Sequence, residues 1–217
     1  MKHFITFLYA VLFTISAYAT DKEQKVLIVT TMGKITVKLY NETPQHRDNF
    51  LKLVQEHAYD SIMFHRVIKQ FMIQAGEKYA PGDTTRKYKA PDYKIPAEIV
   101  YPLYFHKRGQ LCAAREGDES NPGRMSDAMQ FYIVTGKHFT EHELNKMEKE
   151  QNITFTPEQR QALMIEGGAP HLDNAYTIFG EVVKGLKTVQ KIERTNTDND
   201  DRPLKDVRIK KMKILKK

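Results

Sequence analysis

The chain has 217 residues, 41% apolar and 28% charged; that fills one core and excludes a disordered chain, a collagen-like repeat and a polytopic membrane protein. One cysteine, Cys112, excludes an internal disulfide framework and any zinc site built on several thiolates. The 34 Lys+Arg against 27 Asp+Glu give +7, which permits contact with nucleic acid or an anionic membrane without demanding it.

Residues 1–19 read as a cleavable secretory signal. Lys2 is the positive n-region, Phe4 to Ile15 is an almost unbroken apolar run, and Ala17-Tyr18-Ala19 is a small-x-small site cut after Ala19. The run is shorter than the ~20 residues of a spanning helix, which sets an uncleaved anchor second. The expected product is 20–217, a single periplasmic or secreted domain with no integral membrane segment after cleavage.

Val26–Thr30 and Lys34–Tyr40 alternate around Thr31-Met32-Gly33 and predict a β-hairpin. Thr43-Pro44 predicts an N-cap and first helical position, with Phe50, Leu53 and Val54 carrying the helix to about Glu56. Met63–Ile68 and Phe71–Ala75 read as strands, and 78–102 as turns. Leu111–Arg115, Gln130–Thr135 and Tyr176–Val183 read as further strands. Leu186, Val189 and Ile192 mark a short helix. Val207–Ile214 is a last strand whose phase slips at Lys210-Lys211, the mark of a β-bulge.

The segment His138–Gly168 differs in character. Thr140 with Glu143 and Thr156 with Gln159 are two capping boxes, so two short helices are expected, with Leu144/Met147 and Ala162/Ile165 as apolar stripes. Six acidic residues against three basic give it −3. It reads as an insertion into a mainly β fold with peripheral helices.

No phosphate loop, zinc-protease motif or nucleophile elbow is present. His138 and His142 have i,i+4 spacing but no third ligand, and read as surface histidines. Tyr88, Tyr93 and nearby lysines are too sparse for a nucleic-acid motif. The informative stretch is Phe64-His65-Arg66-Val67-Ile68-Lys69-Gln70-Phe71-Met72-Ile73-Gln74-Ala75-Gly76. Strand alternation would put Phe64, Arg66 and Ile68 on one face, with Met72 and Gln74 on the next strand. An arginine among apolar neighbours needs a partner, and the Gln74 amide oxygen could be one; the plainer reading is an edge-strand arginine reaching water.

That run, FHRVIKQFMIQAG, resembles the signature of the cyclophilin family of peptidyl-prolyl cis-trans isomerases. KRGQLCAAR, QFYIV, HLDNAYTIFGEVVKG and VRIKKMKI resemble the family's later blocks in the same order. The resemblance implies a closed eight-stranded antiparallel β-barrel with two capping helices, here with the inserted helical pair, in a bacterial, exported member. It implies Arg66 as the catalytic arginine and Gln74 as the groove glutamine that positions it. It implies Phe71, Met72, Tyr132 and Leu172 as the prolyl pocket, Ala113 and Ala114 along the peptide main chain, and Tyr176 where many members have histidine. Ala114 would replace a common asparagine, and Tyr132 a common phenylalanine. His171 stands where cyclosporin-sensitive members carry tryptophan, so weak cyclosporin inhibition is implied.

The expected activity is X–Pro isomerisation, with proline-containing unfolded or partly folded polypeptides as partners, no nucleic acid, and no metal or cofactor. A proline-peptide-binding chaperone module with little turnover is the alternative. The amide barrier is ~18–20 kcal/mol and unassisted rotation takes ~10–100 s. Catalysis then requires only tighter binding of the twisted amide, whose nitrogen regains a lone pair that a guanidinium can meet.

Overall fold

The computed structural model describes residues 24–77 and 90–216; the signal-sequence expectation and Tyr88 lie outside the described residues. The strands are β1 (Lys25–Thr30), β2 (Gly33–Leu39), β3 (Phe64–Ile68), β4 (Met72–Ala75), β5 (Lys94–Ile95), β6 (Gln110–Ala113), β7 (Ser126–Asp127), β8 (Phe131–Val134), β9 (Ile178–Lys184) and β10 (Ile209–Leu215). The helices are α1 (Pro44–Gln55), α2 (Glu141–Gln151), α3 (Pro157–Ile165) and α4 (Leu186–Glu193). Eight strands form one antiparallel sheet in the order β10-β1-β2-β9-β6-β8-β4-β3, and β5 pairs with β7 beside it.

The predicted hairpin is β1–β2, in register from Lys25 opposite Lys38 to Thr30 opposite Gly33. The slip at Lys210-Lys211 is a bulge: Val29 pairs with Lys211 and Thr30 with Ile209, which leaves Lys210 over. The sheet curls so that its edges approach. Met63 bridges Arg208, and Phe64 N–H donates to Val207 O at 2.9 Å, but β3 and β10 form no ladder. The described ladders therefore give a curled sheet forming a half-barrel, short of the closed barrel the resemblance implies.

Inward residues of every main strand fill one core. Phe50 of α1 meets Phe131 edge-on at 5.6 Å, and Tyr59 meets the same ring at 5.5 Å. Helix α1 contributes Leu53 and Val54 to this core, and α4 contributes Val189 and Ile192.

Thr43 occupies the N-cap position of α1, but its side chain caps nothing. The Glu98 carboxylate does so instead, accepting from Gln45 N–H at 3.1 Å and His46 N–H at 3.0 Å. A carboxylate at a helix N-terminus also suits the dipole. The ring of His46 spans from Glu98 (2.7 Å) to Ser126 Oγ (2.9 Å), and its burial outweighs the carboxylate to lower its pKa. The unfolded chain then binds the extra proton first, so stability is complete above the ordinary histidine value near 6.5 and falls as pH drops below it. Denaturant midpoints at pH 7.5 and 5.5 should show that fall, and His46→Gln should reduce it.

Both capping boxes form, at Thr140/Glu143 and Thr156/Gln159. The pair has its own small core of Phe139, Leu144, Phe155 and Leu163; Ile165, expected inside, is 66% exposed because the stripe of α3 runs through Leu163 instead. At its stem Gly168 bridges Lys107 and Lys137. Gly136 sits there at φ +56, where an added Cβ would lie 2.4 Å from Gly168 Cα. Only glycine permits that approach of two backbones.

Candidate active site

The site lies on the outer face of β3, β4, β8 and β6. A register shift between Phe64 and Arg66 leaves His65 as an extra residue. Phe64 therefore faces the core, opposite Ala75, while Arg66 faces outward opposite Gln74. This corrects the simple alternation, which put Phe64 and Arg66 together. A bulge that re-aims one side chain is a recurrent device beside active sites.

From Arg66 the outer row continues across the sheet to Gln74, Tyr132 and Cys112. Above it an apolar layer of Met72, Val134, Ala169 and Ile178, with Phe71, Leu172 and Tyr176 partly covered, builds the walls. Of these, Met72, Phe71, Leu172 and Tyr176 line a cleft of about 160 Å³ that opens to solvent. Eight of the ten expected residues line it: Arg66, Phe71, Met72, Gln74, Ala114, Tyr132, Leu172 and Tyr176.

The other two do not. Ala113 is 3% exposed and points into the core with Leu111, so the lining pair is Ala114 and Arg115, one residue later than expected. His171 is exposed beside the cleft, its ring 5.2 Å from that of Phe71.

Arg66 is 46% exposed, and its Nε–H donates to Asp201 Oδ2 at 3.3 Å. Asp201 is itself fixed to β3, since its carbonyl accepts from Val67 N–H at 2.8 Å. Gln74 is not the arginine's hydrogen-bond partner; its Nε2 donates to Gln130 Oε1 at 2.9 Å. The Nη groups have no protein partner among the described residues, so the terminal fork faces solvent and cleft.

Besides Asp201, three contributors escaped the sequence reading. Arg115, only 4% exposed, lies 4.3 Å over the Tyr176 ring and donates to Ala175 O, which fixes the far wall. His106 and Asp173 stand behind the near one. Asp173 Oδ1 accepts from the backbone N–H of His106 and meets its Nδ1, both at 2.7 Å. A carboxylate accepts, so Nδ1 carries the proton, and Nε2 accepts from the Tyr132 hydroxyl at 3.0 Å. Burial holds the Tyr132 hydroxyl neutral well past its ordinary range, so it serves as that donor. The hydroxyl is thus occupied with His106, and the pocket receives the ring.

The curled antiparallel sheet thus carries an apolar cleft bordered by an outward guanidinium. The family model described as cyclophilin type peptidyl-prolyl cis-trans isomerase/CLD matches residues 25–214, and the chain belongs to that family. It is 34% identical over 188 residues to peptidyl-prolyl cis-trans isomerase cypE of Dictyostelium discoideum, covering 86% of this chain and 95% of that one. To the isomerase CYP71 of Arabidopsis thaliana it is 32% identical over 88% of its own length, but it spans only 24% of that relative. A crystal structure of a Cryptosporidium parvum cyclophilin type peptidyl-prolyl cis-trans isomerase matches at TM-score 0.65 and 25% identity, covering 90% and 99% of the two chains. That parasite protein was also solved in the presence of the dipeptide Ala-Pro.

Proposed function

We propose that this chain accelerates rotation about X–Pro bonds in polypeptides that fold after export from a bacterial cell. The observation that carries the reading is the free guanidinium fork of Arg66 beside an apolar cleft. The cleft takes the prolyl ring, and the main chain on either side turns about the C–N bond. As resonance is lost the prolyl nitrogen becomes a hydrogen-bond acceptor, and Arg66 donates to it; Gln74, tied to Gln130, lines the path of the peptide backbone. The relative solved with Ala-Pro supports a prolyl ligand. A protease-coupled assay on an X–Pro tetrapeptide tests this: acceleration by wild type is expected, and its absence would favour the binding-module alternative. The exported setting is supported by residues 1–19 of the sequence, and the N-terminal mass of the protein recovered from cells should correspond to cleavage after Ala19.

Two expectations concern the borders of the cleft. At position 171 histidine offers less apolar area than tryptophan. Cyclosporin should therefore inhibit wild type weakly and His171→Trp more tightly in side-by-side titrations. The helical pair closes on its own core beyond the Gly136/Gly168 stem. Replacing residues 138–166 with a short Gly/Ser link should leave tetrapeptide kcat/KM within about twofold, because loop length alone costs little. If the −3 of the pair recruits basic clients, refolding of a basic proline-limited protein should slow in that variant, at low salt only.

A further inference from the structure

The exterior of the curled sheet has two halves. The cleft occupies the outer face of β3, β4, β8 and β6, and the outer face of β10, β1, β2 and β9 is covered by lysine. Alternation sends Val26, Ile28, Ile35, Val37, Ile209 and Met212 inward. It leaves Lys25, Lys34, Lys38, Lys184, Lys211 and Lys213 outside. In the ladders Lys25 stands directly opposite Lys38, Val29 lies between Lys34 and Lys211, and Thr36 faces Lys184. Strands lie only ~4.8 Å apart, so these charges sit within one Debye length of their neighbours. Like charges placed opposite each other weaken a sheet, and the fold gains nothing from them.

Among the described residues, one carboxylate relieves the crowding. Glu181 pairs with Lys38 at 2.8 Å, and the other five lysines have no ion-pair partner among the described residues. With Lys187 at the β9–α4 corner, seven lysines face one glutamate among the described residues, a local net charge of +6. This side of the sheet is therefore strongly basic among the described residues. A groove of about 460 Å³ crosses that side, lined by Leu27, Lys34, Thr36, Lys184, Leu186 and Lys187. Beside it Val183 is 45% exposed and Leu186 is 37% exposed.

We propose that this lysine half docks the chain on an anionic phospholipid bilayer, with the prolyl cleft turned away from the lipid. Clustered lysines around a few exposed aliphatic side chains suit a headgroup layer, where charge attracts and small apolar groups enter the boundary. Nucleic acid is less well served, because bases are read or stacked by arginine and aromatic side chains. These four strands contain no arginine, and Phe179, their one aromatic residue, is in the core.

The test is co-sedimentation of the full chain with phosphatidylcholine vesicles, with and without phosphatidylglycerol. Phosphatidylglycerol should add binding, and that gain should fade at high salt. The triple variant Lys34→Gln, Lys184→Gln, Lys213→Gln should lose about tenfold or more of it. The corresponding arginine triple should keep it, and both should retain tetrapeptide isomerase activity, which shows them folded. The apolar run near the N-terminus can bind neutral and anionic vesicles alike, so the readout is the gain that phosphatidylglycerol adds. Equal binding to neutral vesicles, or undiminished binding by the glutamine triple, would overturn the proposal. Duplex DNA that displaces the protein from the vesicles at equal phosphate concentration would overturn it in favour of a nucleic-acid surface.

Discussion

Arg66→Lys should lower kcat/KM on an X–Pro tetrapeptide by about 10²-fold, and Arg66→Ala by up to about 10³-fold, the range seen when one transition-state hydrogen-bond donor is removed. The lysine variant keeps the charge but replaces a planar fork with a single flexible ammonium. Since the side chain is 46% exposed on the edge strand β3 and its ion pair with Asp201 is a surface pair, neither change should move the denaturation midpoint appreciably. Loss in kcat with KM nearly unchanged would place the arginine's contribution in the twisted amide rather than in ground-state binding. Asp201→Asn should give a smaller loss, because it loosens the guanidinium without removing it. Wild-type kcat/KM in Arg66→Lys would remove this residue from the centre of the mechanism.

His106→Ala is expected to be the most damaging substitution behind the cleft, destabilising by about 3–5 kcal/mol. It removes the imidazole between a buried phenol and the Asp173 carboxylate, whose Oδ2 already has no partner among the described residues. Tyr132→Phe is milder. It leaves the ring in the wall but strips the donor from His106 Nε2, at a cost of about 1–3 kcal/mol. Urea unfolding read by tyrosine fluorescence or circular dichroism measures both. The chain contains no tryptophan to obscure the tyrosine signal. Stability of Tyr132→Phe equal to wild type would mean that the bond at 3.0 Å carries no net energy.

The parts of the fold that were legible are those governed by period and punctuation. The β1–β2 hairpin, the two capping boxes and the Lys210 bulge each follow from local residue order. What failed was parity. Phe64, Arg66 and Ile68 look equivalent under strict alternation, and nothing in FHRVI announces that His65 is the extra residue. At Cys112-Ala113-Ala114-Arg115 two identical small side chains give no clue to which one faces the core, so Arg115 was passed over. Long-range partners were invisible for a different reason. Asp201 reaches Arg66 across 135 positions, Asp173 reaches His106 across 67, and Glu98 caps α1 from 53 positions away. Such pairs are set by how the sheet curls, which no local pattern encodes.

The His65 bulge and the glycine stem together imply an asymmetry in which length changes the chain tolerates. Beyond Gly136 and Gly168 a whole helical pair hangs from the sheet, and the pinched backbones shield the ladder from whatever sequence follows. In β3 the margin is a single residue. Deleting Val67 would let His65 take the place opposite Gln74 by plain alternation, so a strand that keeps Phe64 in the core would turn the guanidinium inward as well. Descent with insertions and deletions would then leave long excursions at the stem and none in β3. The size of a length change matters less than whether it crosses a ladder in which each step reverses the face.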